Sequence, residues 1–384
     1  MSAAPPNRRI SRLQAPITSP GTLSTLSVVH YGTPGARPKA YLQGSLHADE
    51  IPGMLVLEHL LRLLDAAAAR IVGEIVVVPV ANPMGLAQQI SGRVLGRYAL
   101  TGAGNYNRLF PDLAEAAAVR LAHALGNDPQ ANVAAVRAAL RAALAAVPAH
   151  DETQWLRHTL LGLALDADIV LDLHCDCEAL LHLYTGTPLW PGAADLSAQL
   201  GSHVTLLAEA SGGHPFDEAV AAPWWILAAR FAGQPIPPAC LAATVELRGV
   251  MDVGDDLADA DARNLLTFLT RRGVLAGDAG ALPEPRCDAT PLEAVDMVRA
   301  PVSGVVSRLA SVGARVEAGE VVAEIADPLA LDAGQGQRVG VVSAASGVVF
   351  ARTDQRIARA GDVLVKVAGR EPLAHRRGSA LLTD

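Results

Sequence analysis

Strand-like apolar runs alternate with longer helical patterns through the first 280 residues of the chain. Residues 39–46 form a short apolar run, residues 51–70 carry apolar side chains at helical spacing, and residues 73–83 return to a valine-rich run. Further strand-like runs lie at 168–174, 203–210 and 241–249. Short runs rich in Val, Ile and Leu between helical segments predict an α/β fold with a mostly parallel or mixed sheet covered by helices.

A helical segment interrupts this alternation. Residues 112–165 are rich in Ala and Leu with scattered Arg, Glu and His, which predicts two or three helices. The sequence Gly126-Asn-Asp-Pro129 marks a break within the segment. We interpret it as an insertion between elements of the sheet.

The pattern changes near residue 280. A Pro-rich linker covers residues 281–291, and the helical spacing disappears after it. Residues 300–325 and 343–367 then share Ser-Gly-Val-Val and Ala-Gly-Glu/Asp-Val at matched offsets. This repeat predicts a small all-β barrel-sandwich domain over residues 288–370, which follows a first domain over 1–280 and precedes a tail over 371–384.

The repeat resembles the biotinyl/lipoyl carrier domain. That domain presents its modified lysine in a hairpin turn between the two halves. Here the intervening residues 327–340, DPLALDAGQGQRVG, contain no lysine. We therefore expect a carrier-like fold with a structural or oligomerisation role and without the carrier function.

The composition is that of a soluble globular protein, with 51% apolar and 18% charged residues. The 384 residues allow two domains, one of them with a large core. No apolar run approaches the length of a membrane span, and residues 1–20 lack the apolar core of a signal peptide, so the cytoplasm is the default compartment. The net charge of −8 argues against general nucleic-acid binding.

A histidine and two acids stand where the first predicted strand gives way to a helix. These residues are His47, Asp49 and Glu50, directly after Leu46. The pattern H-x-x-E is common and alone is a weak indication of a metal site. Its position strengthens it, because ligands of open α/β sheets collect at the carboxyl ends of strands.

His174 ends another apolar strand, two residues after Asp172. A lone histidine there is often a hydrogen-bonded core residue. Together with His47 and Glu50, however, it completes two imidazoles and a carboxylate, a usual set for catalytic zinc with one open position. Asp172 either holds the tautomer of His174 or faces a polar layer.

The cysteines offer competing ligands. Cys175 and Cys177 are spaced C-x-C, which alone is a weak zinc pattern, and a His/Glu/His site needs neither. We interpret both as mainly structural. With Cys240 and Cys287 they are too few for a disulfide framework in a chain of this size.

Glu246 interrupts the apolar run 241–249. A buried carboxylate is unfavourable unless it has a partner or a task. Beside a metal-activated water it can take a proton and pass it to a leaving amine. The alternative is a salt bridge to Arg248 or another arginine.

A glycine-rich stretch over residues 82–111 carries several polar side chains, namely Arg93, Arg97, Asn107 and Arg108. Guanidinium groups bind carboxylates and stabilise an oxyanion as charge develops on a carbonyl group. Arginines on a surface are more often simply solvated. The juxtaposition of Asn107 and Arg108 favours a binding role.

As an ordered set, these motifs resemble the succinylglutamate desuccinylase/aspartoacylase family of the zinc carboxypeptidase-like superfamily, over roughly residues 25–275. The family pattern is H-G-D-E, then N-P, then R ten residues before the N of D-L-N-R-x-F-P, then D-x-H and a late E. The corresponding residues here are His47-Ala-Asp-Glu50, Asn82-Pro83, Arg97 with Asn107-Arg108-Leu-Phe-Pro, Asp172-Leu-His174 and Glu246.

The resemblance implies one Zn²⁺ per chain, held by His47, Glu50 and His174. It implies Glu246 as the general base, and then the general acid, for a water that attacks an amide carbonyl. The domain over 1–280 would be a zinc carboxypeptidase-like hydrolase domain.

The resemblance also implies roles for the residues of the glycine-rich stretch. Arg97 would polarise the carbonyl group, and Asn107 with Arg108 would hold a carboxylate of the substrate.

Some positions depart from the family pattern. Ala48 replaces a glycine, which is a mild change unless the position needs a positive φ. Asn105-Tyr106 replace Asp-Leu, so hydrogen bonding behind the site and substrate preference are expected to differ. The helical insertion and the C-terminal domain are positioned to reshape the mouth of the site. Tyr184 lies shortly after the metal strand and is either a pocket residue or a core residue.

The sequence favours a zinc-dependent amidohydrolase that removes the acyl group from a small N-acylated amino acid. The alternatives are a zinc carboxypeptidase acting on small peptides and a catalytically silent binding protein. We expect no nucleic-acid or membrane partner, and the chain is compatible with a homo-oligomer. The acyl group, the amine and the native metal are not specified by the sequence, because fold-level similarity does not transmit the substrate.

Overall fold

The computed structural model describes residues 7–16, 20–330, 338–376 and 381–382 and contains a nine-stranded sheet. The predicted tail over 371–384 and the turn over 327–340 therefore lie partly outside the described residues. In chain order, the strands up to the linker are β1 (Arg8–Gln14), β2 (Thr25–Gly32), β3 (Lys39–Gly44), β4 (Glu74–Val78), β5 (Gln89–Ile90), β6 (Arg93–Val94), β7 (Tyr98–Ala99), β8 (Gly104–Asn105), β9 (Ile169–Asp176), β10 (Glu178–Ala179), β11 (His182–Gly186), β12 (Val204–Ala208), β13 (Leu241–Gly249) and β14 (Ala289–Pro291).

The large sheet is mixed, with the strand order β1-β2-β4-β3-β9-β13-β11-β12-β14. Strands β4, β3, β9 and β13 run parallel to one another, and β11 pairs antiparallel with β13. Every residue of β3 and β4 is buried, as their apolar runs require of strands covered on both faces. The prediction of a mixed α/β fold is confirmed. The carboxyl ends of β3, β9 and β13 meet at one edge of the sheet.

Eight helices cover the sheet in the described part of the chain. They are α1 (Pro52–Ala66), α2 (Pro83–Leu86), α3 (Ala114–Leu121), α4 (Pro129–Ala145), α5 (Glu152–Ala164), α6 (Ala194–Leu200), α7 (Phe216–Arg230) and α8 (Asp255–Arg271). Helices α1, α6 and α8 bury Leu57, Leu196 and Phe268 in one core. Helices α3, α4, α5 and α7 build a second core, which contains Leu140 and Trp224. None of the helices in the described ranges is long and apolar enough to cross a membrane.

The insertion over residues 112–165 contains three helices, α3, α4 and α5, within the predicted number. The predicted break lies between α3 and α4, where the Asp128 carboxylate caps α4 by accepting a hydrogen bond of 2.9 Å from the Gln130 backbone N–H. Pro129 opens the helix, which is a favourable position for proline.

The strands after the linker repeat in two halves. They are β15 (Val295–Arg299), β16 (Gly304–Leu309), β17 (Arg315–Val316), β18 (Val321–Ala326), β19 (Arg338–Val342), β20 (Gly347–Arg352), β21 (Ile357–Ala358) and β22 (Val363–Ala368). Strand β16 pairs with β18 and β20 pairs with β22, while β17 pairs with β20 and β21 pairs with β16. The halves therefore exchange their short strands.

The matched glycines of the repeat have a packing reason. A Cβ atom added at Gly304 would lie 2.6 Å from the carbonyl oxygen of Ala326, and one added at Gly347 would strike the carbonyl of Ala368. Both carbonyls belong to the last residue of the partner strand, β18 or β22. Glycine is required because the backbones approach closely at both places.

The C-terminal strands also join the first part of the chain. Strand β14 pairs with β12 in the large sheet, and β10 pairs with β20. An apolar cluster between the two parts contains Leu206, Leu292 and Phe350. The C-terminal strands consequently form one side of the pocket described next.

Candidate metal centre and active site

Two of the predicted metal ligands occupy the turn between β3 and α1. His47 and Glu50 are 3% and 7% exposed. The turn is tight because Gly44 and Gly53 approach each other, and a Cβ atom added at Gly44 would lie 3.1 Å from the Gly53 carbonyl. The Glu50 backbone N–H donates to the His47 carbonyl over 3.1 Å. Both side chains therefore lie at the carboxyl ends of the central strands.

His174, in the adjacent strand β9, meets the same carboxylate. Its Nδ1 lies 2.7 Å from Glu50 Oε2, and His47 Nδ1 lies 2.8 Å from Glu50 Oε1. The candidate ligand atoms of the three residues all lie within 4.8 Å of one another. Among the described residues, these three form the group of His, Cys, Asp and Glu side chains that could hold a metal ion. Neither Cys175 nor Cys177 belongs to it.

The second nitrogen of each imidazole contacts another side chain. His174 Nε2 lies 2.9 Å from Asp172 Oδ2, as the proposed tautomer-holding role requires. Asp172 in turn accepts a hydrogen bond of 2.9 Å from Gln43 Nε2. His47 Nε2 lies 2.8 Å from Asn105 Oδ1. Nothing in the sequence indicated the role of Gln43. The sequence indicated that hydrogen bonding at Asn105 would differ from the family pattern, but it did not indicate the contact with His47.

The electrostatics of the cluster are those of a buried carboxylate between two imidazoles. Burial alone would raise the pKa of Glu50, but the adjacent histidines hold it well below its ordinary value. Burial likewise opposes charge on His174, yet the carboxylates of Asp172 and Glu50 raise its pKa well above the usual range. Burial lowers the pKa of His47. Two imidazoles and one carboxylate, each fixed by a second contact, fit a divalent cation such as zinc.

Glu246 lies beside this cluster, because its position in β13 is in register with His174 in β9. The register shifts directly after Glu246, where Arg248 adopts a φ of 67°. Arg248 pairs with Asp261 of α8 and not with Glu246. The Glu246 Oε2 atom is buried without a hydrogen-bond partner. Burial, together with the charge of Glu50, raises the pKa of Glu246 to about 8.

Two of the three arginines of the glycine-rich stretch line the pocket. Arg97 Nη1 lies 3.1 Å from Glu50 Oε1, and Arg108 lines the pocket and donates to the Asn107 carbonyl over 2.7 Å. The Asn107 side chain is close to His174 Nε2, at 3.4 Å, and accepts from the Phe216 backbone N–H over 2.9 Å. Arg93 is exposed and does not line the pocket.

A pocket extends from the metal cluster along the face of the sheet. Tyr184 lines it and also packs against the apolar cluster between the two parts of the chain. Lys366, from β22, also lines it and pairs with Asp176. Asp217, in the first turn of α7, is a further lining residue, and burial with the charge of Glu218 raises its pKa to about 7. Neither Lys366 nor Asp217 belongs to a sequence motif that pointed to the site.

Comparisons with known proteins agree with this geometry. Residues 36–136 match the model of the succinylglutamate desuccinylase/aspartoacylase catalytic domain. A family protein of that name from Shewanella amazonensis has 28% identity and a TM-score of 0.82, with 94% of this chain and 98% of that chain covered. The chain is therefore similar to the succinylglutamate desuccinylase/aspartoacylase family in sequence over residues 36–136 and in fold over most of its length. Members of this family are deacylases, which supports amide hydrolysis as the general activity.

Other solved structures share this fold. A succinylglutamate desuccinylase/aspartoacylase of Shewanella frigidimarina has 25% identity and a TM-score of 0.81, with 94% and 97% of the two chains covered. The product-bound ectoine utilization protein EutE (DoeB) of Ruegeria pomeroyi has 16% identity and a TM-score of 0.65, with 94% and 95% covered. A comparison with curated proteins returned no match.

One departure from the family pattern has a structural explanation. Ala48 is not among the residues with positive φ, so its methyl group introduces no backbone strain. The methyl group lies against Gly96, and the Ala48 backbone N–H donates to the Gly96 carbonyl over 3.1 Å. Gly96 therefore ties the strand before Arg97 to the turn that carries His47 and Glu50.

Substitution of Gly96 by alanine is expected to weaken metal binding about tenfold. The added Cβ would lie 2.5 Å from the Ala48 Cβ and 2.6 Å from the Asp49 nitrogen, so the ligand turn must move. Competitive metal titration measures the effect. Gly126→Ala is the control, because a Cβ atom there meets nothing within 4 Å. Equal metal affinities of the two variants would contradict the role of Gly96.

Proposed function

We propose that the chain is a zinc-dependent deacylase that cleaves the amide bond of a small N-acylated amino acid. The observation that carries this proposal is the buried His47–Glu50–His174 cluster with Glu246 in register on the next strand. A metal-ligand set and a carboxylate without a hydrogen-bond partner on one of its oxygens face the same pocket. This combination is typical of metal-assisted hydrolysis.

His47, Glu50 and His174 would hold the zinc ion through the two Nδ1 atoms and the carboxylate. When bound there, zinc supplies Lewis-acid chemistry, which activates a water molecule and polarises a carbonyl group. Asp172 and Asn105 keep the two imidazoles oriented through the opposite nitrogens. Protons on the Nε2 atoms leave the Nδ1 lone pairs directed to the metal.

Glu246 would take the proton of the attacking water and then donate it to the leaving amine nitrogen. Burial raises its pKa, which makes the carboxylate a stronger base than an ordinary glutamate, and the acid so formed can release the proton to the more basic amine nitrogen. Arg97, at the side of Glu50, would donate hydrogen bonds to the carbonyl oxygen as negative charge develops on it.

Arg108, supported by Asn107, would bind a carboxylate of the substrate. Arg108 is held at the pocket wall by its own hydrogen bond to the Asn107 carbonyl, and Asn107 is fixed by the Phe216 backbone N–H. A guanidinium group in this position recognises a carboxylate with geometric selectivity.

Replacement of Arg108 by alanine is expected to raise KM for substrates with a free carboxylate by about 10- to 100-fold, the range of a lost charged hydrogen bond. The corresponding esters and amides would change far less. Steady-state kinetics on matched acid, ester and amide substrates measure the difference. Arg93→Ala is the matched control, because Arg93 is an exposed arginine outside the pocket. An equal effect of Arg108→Ala on all three substrates would remove the carboxylate role.

For the domain organisation, we propose a hydrolase domain over residues 1–280 and a barrel-sandwich domain over 288–370. The two halves of the repeat and their exchanged short strands support a lipoyl-like barrel. The β14 strand and the shared apolar cluster bind this domain to the hydrolase domain. A structural role, without a carrier lysine in the intervening turn, fits this arrangement.

The test is amine release from a matched substrate panel, with and without a chelator. The panel contains N-acetyl, N-succinyl and N-formyl forms of acidic, basic and apolar amino acids together with a few dipeptides. Chelator-sensitive turnover of acyl amino acids supports the deacylase. Chelator-sensitive cleavage of dipeptides alone assigns the chain to the carboxypeptidases. No turnover by the zinc-loaded protein overturns both and favours a binding protein.

A further inference from the structure

The pocket has two chemically different ends. One end is the metal cluster with Glu246, Arg97 and Arg108 around it. The other end is apolar. Its wall is built by side chains from five parts of the chain, namely Tyr184, Leu206, Ala208, Trp225, Leu292, Met297 and Leu382.

The order of the strands separates the two ends. His174 lies in β9, Glu246 in β13, Tyr184 in β11 and Leu206 in β12, and these four strands are consecutive neighbours in the sheet. Tyr184 is directly in register with Leu206. With about 4.8 Å between neighbouring strands, Leu206 lies about 14 Å and Tyr184 about 10 Å from the strand of His174. A substrate that occupies both ends must therefore extend well beyond the scissile amide.

The apolar wall is firmly packed. Leu206 and Leu292 belong to the buried cluster between the large sheet and the C-terminal strands, and Met297 packs against it. The Trp225 indole lies on Gly186, where an added Cβ would be 2.8 Å from the ring. Glycine at 186 is thus required for the indole to form this part of the wall.

Three of the polar groups near this wall already have partners. Thr185 Oγ1 donates to the Ala242 carbonyl over 2.7 Å, and Glu218 accepts from the Ser211 backbone N–H over 2.6 Å. Lys366 is paired with Asp176 at the end of β9. A carboxylate or another strongly polar group placed against Leu206, Leu292 and Met297 would lose its water without gaining a new partner from these side chains.

Resting on the proposed deacylase function, we infer that the substrate carries a bulky apolar group that binds the wall formed by Leu206, Trp225, Leu292 and Met297. The group has the size of an aromatic ring or a medium-length aliphatic chain. It belongs either to the acyl part or to the amino-acid side chain. Burial of such a group against apolar side chains is favourable by the hydrophobic effect, and its absence lowers kcat/KM.

The experiment compares kcat/KM for three substrates on the zinc-loaded full chain. They are N-acetyl-aspartate, N-acetyl-phenylalanine and N-octanoyl-aspartate, each with and without a chelator. We expect at least one apolar substrate to exceed N-acetyl-aspartate by about tenfold or more. Preference for N-octanoyl-aspartate assigns the wall to the acyl group, and preference for N-acetyl-phenylalanine assigns it to the side chain of the amino acid.

Met297→Gln tests the wall itself, because it replaces the thioether with a polar amide of similar size. The ratio of kcat/KM between the preferred apolar substrate and N-acetyl-aspartate is expected to fall about fivefold. Met251→Gln is the matched control, since Met251 is 86% exposed and lies outside this pocket. It should leave the ratio unchanged. An unchanged ratio in Met297→Gln, or a wild type that prefers N-acetyl-aspartate, overturns the inference and leaves the deacylase function in place.

A binding measurement distinguishes failure of the apolar site from failure of the deacylase function. If none of the three substrates is hydrolysed, calorimetric titration of octanoate and of L-phenylalanine into the zinc-loaded protein decides the point. Binding that Met297→Gln weakens keeps the apolar site and rejects hydrolysis as proposed. Absence of binding rejects the apolar site as well.

Discussion

Replacement of Glu246 by glutamine is expected to lower kcat by about 10³-fold or more while the protein keeps one zinc ion per chain. Glutamine has the shape of glutamate but cannot accept the proton of the attacking water. Zinc retention follows from the geometry, because the three candidate ligands are His47, Glu50 and His174, and Glu246 is only their neighbour in register.

The measurement combines metal content by mass spectrometry of the acid-digested protein with steady-state kinetics. Glu58→Gln is the control, because Glu58 is a half-buried residue of α1 that pairs with Arg62 away from the pocket. The control should keep both zinc and turnover. Retained turnover in Glu246→Gln would show that another group moves the proton, and loss of zinc would show that Glu246 is itself a ligand.

The His174→Ala variant is expected to lose zinc and all chelator-sensitive turnover. His174 supplies one of only two imidazoles of the cluster, so its removal leaves an incomplete ligand set. It also removes the imidazole that contacts both Asp172 and Glu50, and we therefore expect a lower melting temperature.

Metal titration and circular dichroism on the same sample separate loss of the site from loss of the fold. His123→Ala is the control, since His123 is exposed and lies in the insertion. A folded His174→Ala variant that still binds zinc with the affinity of the parent chain would falsify the assignment of this ligand.

The metal end of the pocket could be predicted from the sequence because its residues follow local patterns. Strands β3 and β9 are apolar runs, and chemistry-bearing side chains at their ends stand out against them. The insertion shows the same principle, since its helical spacing and the break at Gly126 are properties of a few neighbouring residues.

The far end could not be predicted in this way, because it depends on pairings between distant segments. Strand β11 lies between β13 and β12 and runs parallel to β12, which brings Tyr184 beside Leu206, and no local pattern specifies this placement. Lys366 reaches Asp176 from 190 residues further along the chain. The contact of Asn105 with His47 likewise depends on how a loop folds over the ligand turn.

Part of the apolar wall comes from the chain after the linker, and this has a consequence for redesign. The candidate ligands and the base all precede residue 250, whereas Leu292 and Met297 of the apolar wall follow the linker. Substitutions after the linker can therefore retune which group the wall accepts without altering a single ligand of the metal. An engineer can therefore vary the selectivity through Leu292 and Met297 and keep the reacting groups unchanged.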